Sequence, residues 1–159
     1  MTSPFNSPLE TGIRSLTILT AMFPEPLDLQ YLVFFDYLTL HSGDVEGPES
    51  LHAPLPLRSG ELTVRRELIE RGIFLMMSRG LIQKLSSSRG FEYVATDTAG
   101  AFLSMLSSQY ISKLKERAEW VATTFGESTH EELIAMERRF FQEFSTQFQS
   151  FERAGEGRI

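Results

Sequence analysis

Apolar residues recur near every third or fourth position in five stretches of the chain, and a short β-rich stretch divides them. The first period runs through Ile13, Leu16, Leu19 and Phe23. It predicts a helix capped by Thr11 and ending near Met22. Pro24 and Pro26 break the chain there, because proline removes a donor and fixes φ. Asp28 can start a second helix. Its apolar residues Leu29, Leu32, Val33, Phe35, Tyr37, Leu38 and Leu40 cover more than one face, which predicts a central helix packed on several sides. The stretch 42–60 carries Gly43, Gly47, Pro48, Pro54 and Pro56 and reads as a long loop, a length often tied to function.

A third helix is predicted over about 61–79, closed by Gly80 as a left-handed C′ residue. Leu-Ile-Gln-Lys-Leu, the turn Ser-Ser-Ser-Arg-Gly and Phe-Glu-Tyr-Val-Ala-Thr then read as a hairpin. Thr96 or Asp97 caps a long fourth helix over about 98–125, closed by Gly126. Ser128 and Glu131 have capping-box spacing for a last helix over about 129–152. The expected fold class is mostly α with a small β-hairpin: a winged helix-turn-helix followed by a long C-terminal αα-hairpin. The expected organisation is a flexible leader over 1–8, a winged-helix domain over 9–97, the helical hairpin over 98–152 and a frayed tail over 153–159.

On a wheel at 100° per residue, Arg66, Glu70, Thr63, Glu67, Ser78 and Arg71 occupy the most polar arc of the third helix. Arg66–Glu70 and Glu67–Arg71 are i,i+4 pairs, so each exposed arginine has a carboxylate beside it. A helix entering the major groove would bring those carboxylates against phosphates. Arg65 falls within the apolar arc of Leu62, Leu68, Ile69, Ile73 and Met76. An arginine placed there needs an acidic partner, internal or on another subunit. The third helix thus reads as packed on two sides.

Charge sharpens this picture. The chain of 159 residues has a net charge of −6. Residues 1–57 hold one arginine and seven carboxylates, residues 58–90 hold seven Lys/Arg and three Glu, and residues 91–159 hold seven Lys/Arg and eleven carboxylates. Only the middle run is basic, whereas a free-standing nucleic-acid binder is usually basic overall. Lys84 and Arg89 fall on the predicted wing. They can touch a nucleic-acid backbone or serve solubility and edge protection.

Cysteine is absent, which excludes disulfides and thiolate metal sites. No basic-then-apolar leader and no membrane-length apolar run is present, so a cytoplasmic location with no membrane contact is expected. His41, Asp44 and His52 lie in or beside the long loop, but their spacing matches no helical His-x-x-x-His metal site. The simpler reading is that His41 caps the second helix and Asp44 shapes a turn. No Gly-x-Ser-x-Gly elbow and no phosphate-cradling loop occurs. The expectation is a non-enzyme with no catalytic residue, cofactor or metal.

Phe141, Phe144, Phe148 and Phe151 repeat with 3-4-3 spacing, Ile134 extends the series upstream, and Phe140 lies off it. That spacing is the seam of a helix packing along another helix. The fourth helix can supply the partner, through Leu103, Leu106, Tyr110, Leu114 and Val121. A second copy of the chain or a partner subunit is the alternative.

Several blocks together resemble a known family. They are Asn-Ser-Pro-Leu-Glu-Thr-Gly at 6–12, Leu-Asp-Leu-Gln at 27–30, Asp-Tyr-Leu at 36–38 and His-Ser-Gly-Asp at 41–44. The series continues with Pro48, Ser50-Leu51-His52, Arg58-Ser59-Gly60-Glu61-Leu62 and Val64-Arg65-Arg66-Glu67-Leu68-Ile69. It closes with Met76-Met77-Ser78-Arg79-Gly80-Leu81-Ile82 and the strand from Tyr93 to Thr96. The chain resembles, over about 6–125, the middle component of ABC-three-component conflict systems, the group that includes Lamassu-type defence. The resemblance implies a small non-enzymatic subunit between an SMC/Rad50-like ABC ATPase and an effector, often a nuclease. It would act in bacterial defence against phage and plasmids. By fold analogy such a subunit binds protein rather than reading bases. The expected partner-binding residues are His41, Asp44, His52, Arg58, Glu61, Arg65, Arg66, Phe140, Phe144, Phe148 and Phe151, with DNA contact, if any, through Lys84 and Arg89 within the complex. The rival expectation is a winged-helix transcription regulator.

Overall fold

The computed structural model describes residues 7–52 and 59–139, with the side chains of 44 and 59–63 outside that description. The described chain is mostly helical with one three-stranded antiparallel sheet. Helix α1 spans Pro8–Met22. Ser7, not Thr11, caps it: its Oγ accepts the Glu10 N–H at 3.2 Å, and Pro8 sits at the first helical position. The cap therefore lies four residues earlier than expected, and Thr11 is fully buried within the helix.

A two-residue strand, β1 (Leu27–Asp28), follows the prolines. Asp28 Oδ1 accepts the Tyr31 N–H at 2.8 Å and caps α2, Leu29–Leu40. Nearly every residue of α2 from Leu32 on is buried, which matches its apolar circumference. Backbone N–H of His41 closes the helix on the Tyr37 carbonyl at 2.9 Å. The long-loop stretch begins with a 3-10 turn, Ser42–Val45, held by Ser42 Oγ donating to the Pro48 carbonyl at 2.8 Å.

Helix α3 spans Ser59–Ser78. It ends as its glycine requires: Gly80 has φ +72°, its N–H meets the Met77 carbonyl, and the Leu81 N–H meets Met76. That is a Schellman motif. Strands β2 (Ile82–Ser87) and β3 (Gly90–Ala95) pair antiparallel, and β1 adds to the other side of β3 through Leu27 and Tyr93. The order is β1-β3-β2. The third strand has no signal in the sequence, because two residues are too few to alternate.

The stretch expected as one long helix is two. Helix α4 covers Ala99–Ser104 and α5 covers Gln109–Phe125. Ser108 restarts the helix by accepting the Ile111 N–H at 3.1 Å, and Lys115 Nζ donates at 2.7 Å to the Leu103 carbonyl, which also accepts the Leu106 N–H at 3.1 Å. Helix α5 buries Leu114, Ala118, Val121 and Phe125 and packs on α1 and α2. Residues 130–139 are helical, capped by Thr129 rather than Ser128: Thr129 Oγ accepts the Glu132 N–H at 3.1 Å. This segment meets α2, with His130 Nδ1 2.7 Å from the Tyr31 hydroxyl and Leu133 buried.

The core joins α1, α2, α3 and the sheet roots through Leu16, Phe35, Leu38, Ile69, Met76, Ile82 and Ala95. Helices α1 and α3 meet most closely at two glycines. A Cβ on Gly72 would come within 2.5 Å of the Gly12 nitrogen, and one on Gly12 within 2.7 Å of the Gly72 carbonyl. Among the described residues no helix is long and apolar enough to cross a membrane.

Candidate partner-binding groove and its buried anchor

Helix α3 carries two polar assemblies on different sides. The inner one is built on Asp36, which is fully buried on α2. Arg14 Nε of α1 donates to its Oδ1 at 2.9 Å, and Arg65 NH1 of α3 donates to its Oδ2 at 2.8 Å. One carboxylate therefore joins three helices. Burial alone pushes the Asp36 carboxyl up, but the two guanidiniums outweigh it and hold the pKa below its ordinary value. Arg65 also lies over the Tyr37 ring, 5.5 Å from its centroid.

The long-loop residues attach beside this anchor. His41 is buried, with its ring 4.7 Å from that of Tyr37. His52 Nε2 lies 2.9 Å from the Tyr110 hydroxyl of α5. Burial lowers the His52 pKa first, and the nearby Arg14 lowers it further. Arg117 Nε donates to the Glu49 carbonyl at 3.0 Å, a second tie between loop and α5. The His41 and His52 rings meet edge to face at 6.3 Å, and no group of three metal-ligating side chains occurs among the described residues.

The outer assembly is an open groove of about 550 Å³. Its floor is one stripe of α3, Arg66, Glu70, Ile73, Phe74 and Met77, whose spacing keeps it on a single helix face. Its wall is one face of the hairpin. Register pairs Ile82 with Ala95, Lys84 with Tyr93 and Ser86 with Phe91, and such pairs share a face. That face runs from the buried Ile82–Ala95 pair out to Phe91, which is 57% exposed. Asp28 and Gln30 also line it.

Groove chemistry is mixed. Phe74 is 72% exposed, an unusual position for that side chain. Lys84 Nζ sits 3.9 Å over the Phe91 ring, a cation–π contact. Arg66 and Glu70 form an open ion pair at 3.7 Å with both side chains more than half exposed, so it contributes little. Asp28 is engaged as the α2 cap. Arg89 completes the lining at the hairpin turn.

The structure thus brings Arg66, Lys84 and Arg89 into one groove, and places Arg65, His41 and His52 around the buried anchor. Asp44 belongs to the 3-10 turn and Glu61 to α3, with side chains outside the described set. Arg58, Phe140, Phe144, Phe148 and Phe151 lie outside the described residues, as do 1–6 of the leader and the tail. Sequence reasoning missed Asp36, Arg14 and Tyr110 in the anchor and Phe74 and Phe91 in the groove. Asp36 had a signal: it is the one ionised side chain within the apolar helix α2. Arg14 had another, as the one lysine or arginine among the first 57 residues.

A family model for the ABC-three component (ABC-3C) system Middle Component 2 matches residues 4–147. No curated protein matches the chain, and no solved structure does.

Proposed function

The chain belongs to the Middle Component 2 family of ABC-three component systems, and from that premise we propose that it is a non-enzymatic scaffold and regulatory subunit of a Lamassu-type defence complex. Membership as a middle component implies partner subunits. In this reading they are an SMC/Rad50-like ABC ATPase and an effector of nuclease type. The subunit holds the effector inactive until the ATPase engages phage or plasmid DNA in the cytoplasm. The helix order α1-α2-α3, the following hairpin and the sheet order β1-β3-β2 support a winged helix-turn-helix as its frame.

The observation that carries this reading is the direction of the α3 arginines. Arg65 is drawn inward to Asp36, and Arg66 has Glu70 beside it. The exposed stripe keeps Phe74 instead, a side chain suited to a protein interface. A reader of DNA would instead present cations and amides to base edges and phosphates. Lys84 and Arg89 favour the second reading, a DNA-binding regulator. Co-expression with a companion ABC ATPase and effector, followed by size-exclusion chromatography, tests the scaffold role. Failure to assemble with either subunit, together with a salt-resistant specific DNA site for the isolated chain, would replace it with the regulator.

A further inference from the structure

Resting on the scaffold reading, the geometry points to the α3–hairpin groove as a docking site for a short acidic segment of a companion subunit. Aromatic or aliphatic side chains on one face of that segment seat on Ile73, Phe74 and Met77. Its carboxylates face Lys84 and Arg89.

Size comes first. From Arg66 to Met77 the α3 stripe runs about 16 Å at the helical rise. That length takes about five extended residues or three helical turns, which suits a segment rather than a domain. Affinity for an apolar anchor follows from the floor. Phe74 and Phe91 are both more than half exposed and line the same groove, whereas the core aromatics Phe34 and Phe35 are buried.

Charge selects the rest of the segment. The groove gathers Lys84, Arg89 and Arg66 from the only basic run of an otherwise acidic chain. Of its carboxylates, Asp28 caps α2 and Glu70 lies on Arg66. Lys84 and Arg89 form no ion pair among the described residues, so they are the cations open to an incoming carboxylate. A duplex fits less well, because phosphates and base edges gain nothing from the exposed Phe74 ring.

The test uses the full chain and a fluorescein-labelled peptide of about twelve residues. The peptide has leucine and phenylalanine at i, i+3, i+4 and i+7 and glutamate elsewhere, and anisotropy reads its binding. Binding is expected to weaken with salt and to fall at least about tenfold for Lys84→Glu/Arg89→Glu and for Phe74→Ser. Val64→Ser, an exposed α3 position away from the groove lining, is expected to bind as the parent does. The lysine version of the peptide is expected not to bind. Absence of peptide binding, or equal binding by the groove variants, overturns the inference. So does a 20-base-pair duplex (about two turns) bound more tightly than the peptide through the same side chains. None of these results removes the scaffold reading, which fails separately if the parent chain does not assemble with its companion subunits.

Discussion

Arg65 and Arg66 are consecutive residues of α3, yet the two regions they serve are opposites. Arg65 reaches a fully buried carboxylate shared with Arg14, whereas Arg66 stands in an open groove beside a half-exposed glutamate. A turn of about 100° on the helix separates them. The difference in environment decides what each charge does. In the interior the guanidinium is a structural tie whose loss leaves an unmet charge. At the surface the same group is screened by water and contributes little to stability. A count of basic residues in this run therefore overstates what it can offer a partner.

The strongest way to break this contrast is at Asp36. Asp36→Ala leaves both guanidiniums without their carboxylate, and a loss of about 3–5 kcal/mol is expected in urea unfolding. A loss below about 1 kcal/mol would mean that the anchor behaves like a surface pair. The same group sets acid stability. Its folded pKa lies below the ordinary value, so the unfolded chain takes up its proton first. The stability it contributes is therefore present above about pH 4 and is lost as pH falls through the folded value.

Next in size is the helix crossing that positions both regions. Gly72→Ala puts a methyl against the Gly12 backbone, and a cost of about 1–3 kcal/mol is expected in thermal or urea melts. Smaller again is the tie between loop and α5. Tyr110→Phe removes the hydroxyl that meets His52 Nε2, with an expected loss of about 1 kcal/mol. Because the His52 pKa is lowered on folding, the unfolded chain binds its proton first between the folded value and about 6.5. Stability from this site should therefore fall as pH drops below that point. His52→Gln should flatten the slope of denaturation midpoint against pH.

The smallest effect belongs to the groove. Phe74→Ser and Lys84→Glu/Arg89→Glu should change unfolding free energy by no more than about 0.5 kcal/mol, while weakening peptide binding. A large stability loss at these positions would erase the distinction between the two regions.

Much of this arrangement was legible in the sequence, for local reasons. Asp28, Gly80, the hairpin and the all-round apolar α2 each carry a cap, turn or periodicity signal that acts over a few residues. The wheel placed Arg65 inward and required an acid for it. It could not name Asp36, because that partner lies 29 residues away on another helix. The break after α4 was hidden since Leu106 keeps the helical period while Ser108 restarts the backbone. The groove was hidden for a different reason. Phe74 reads as one more core residue in an apolar helix until the hairpin wall shows that nothing among the described residues covers it. Only pairing across distance joins Arg66 to Lys84 and Arg89.

The shared carboxylate also bears on how the molecule comes apart. Because Asp36 serves Arg14 and Arg65 at once, neither α1 nor α3 can lift away without stripping one of the two guanidiniums from a carboxylate buried on α2. Local opening of either helix therefore carries the cost of breaking that buried contact. Amide exchange in the middle of α1 and α3 should report that cost in both helices.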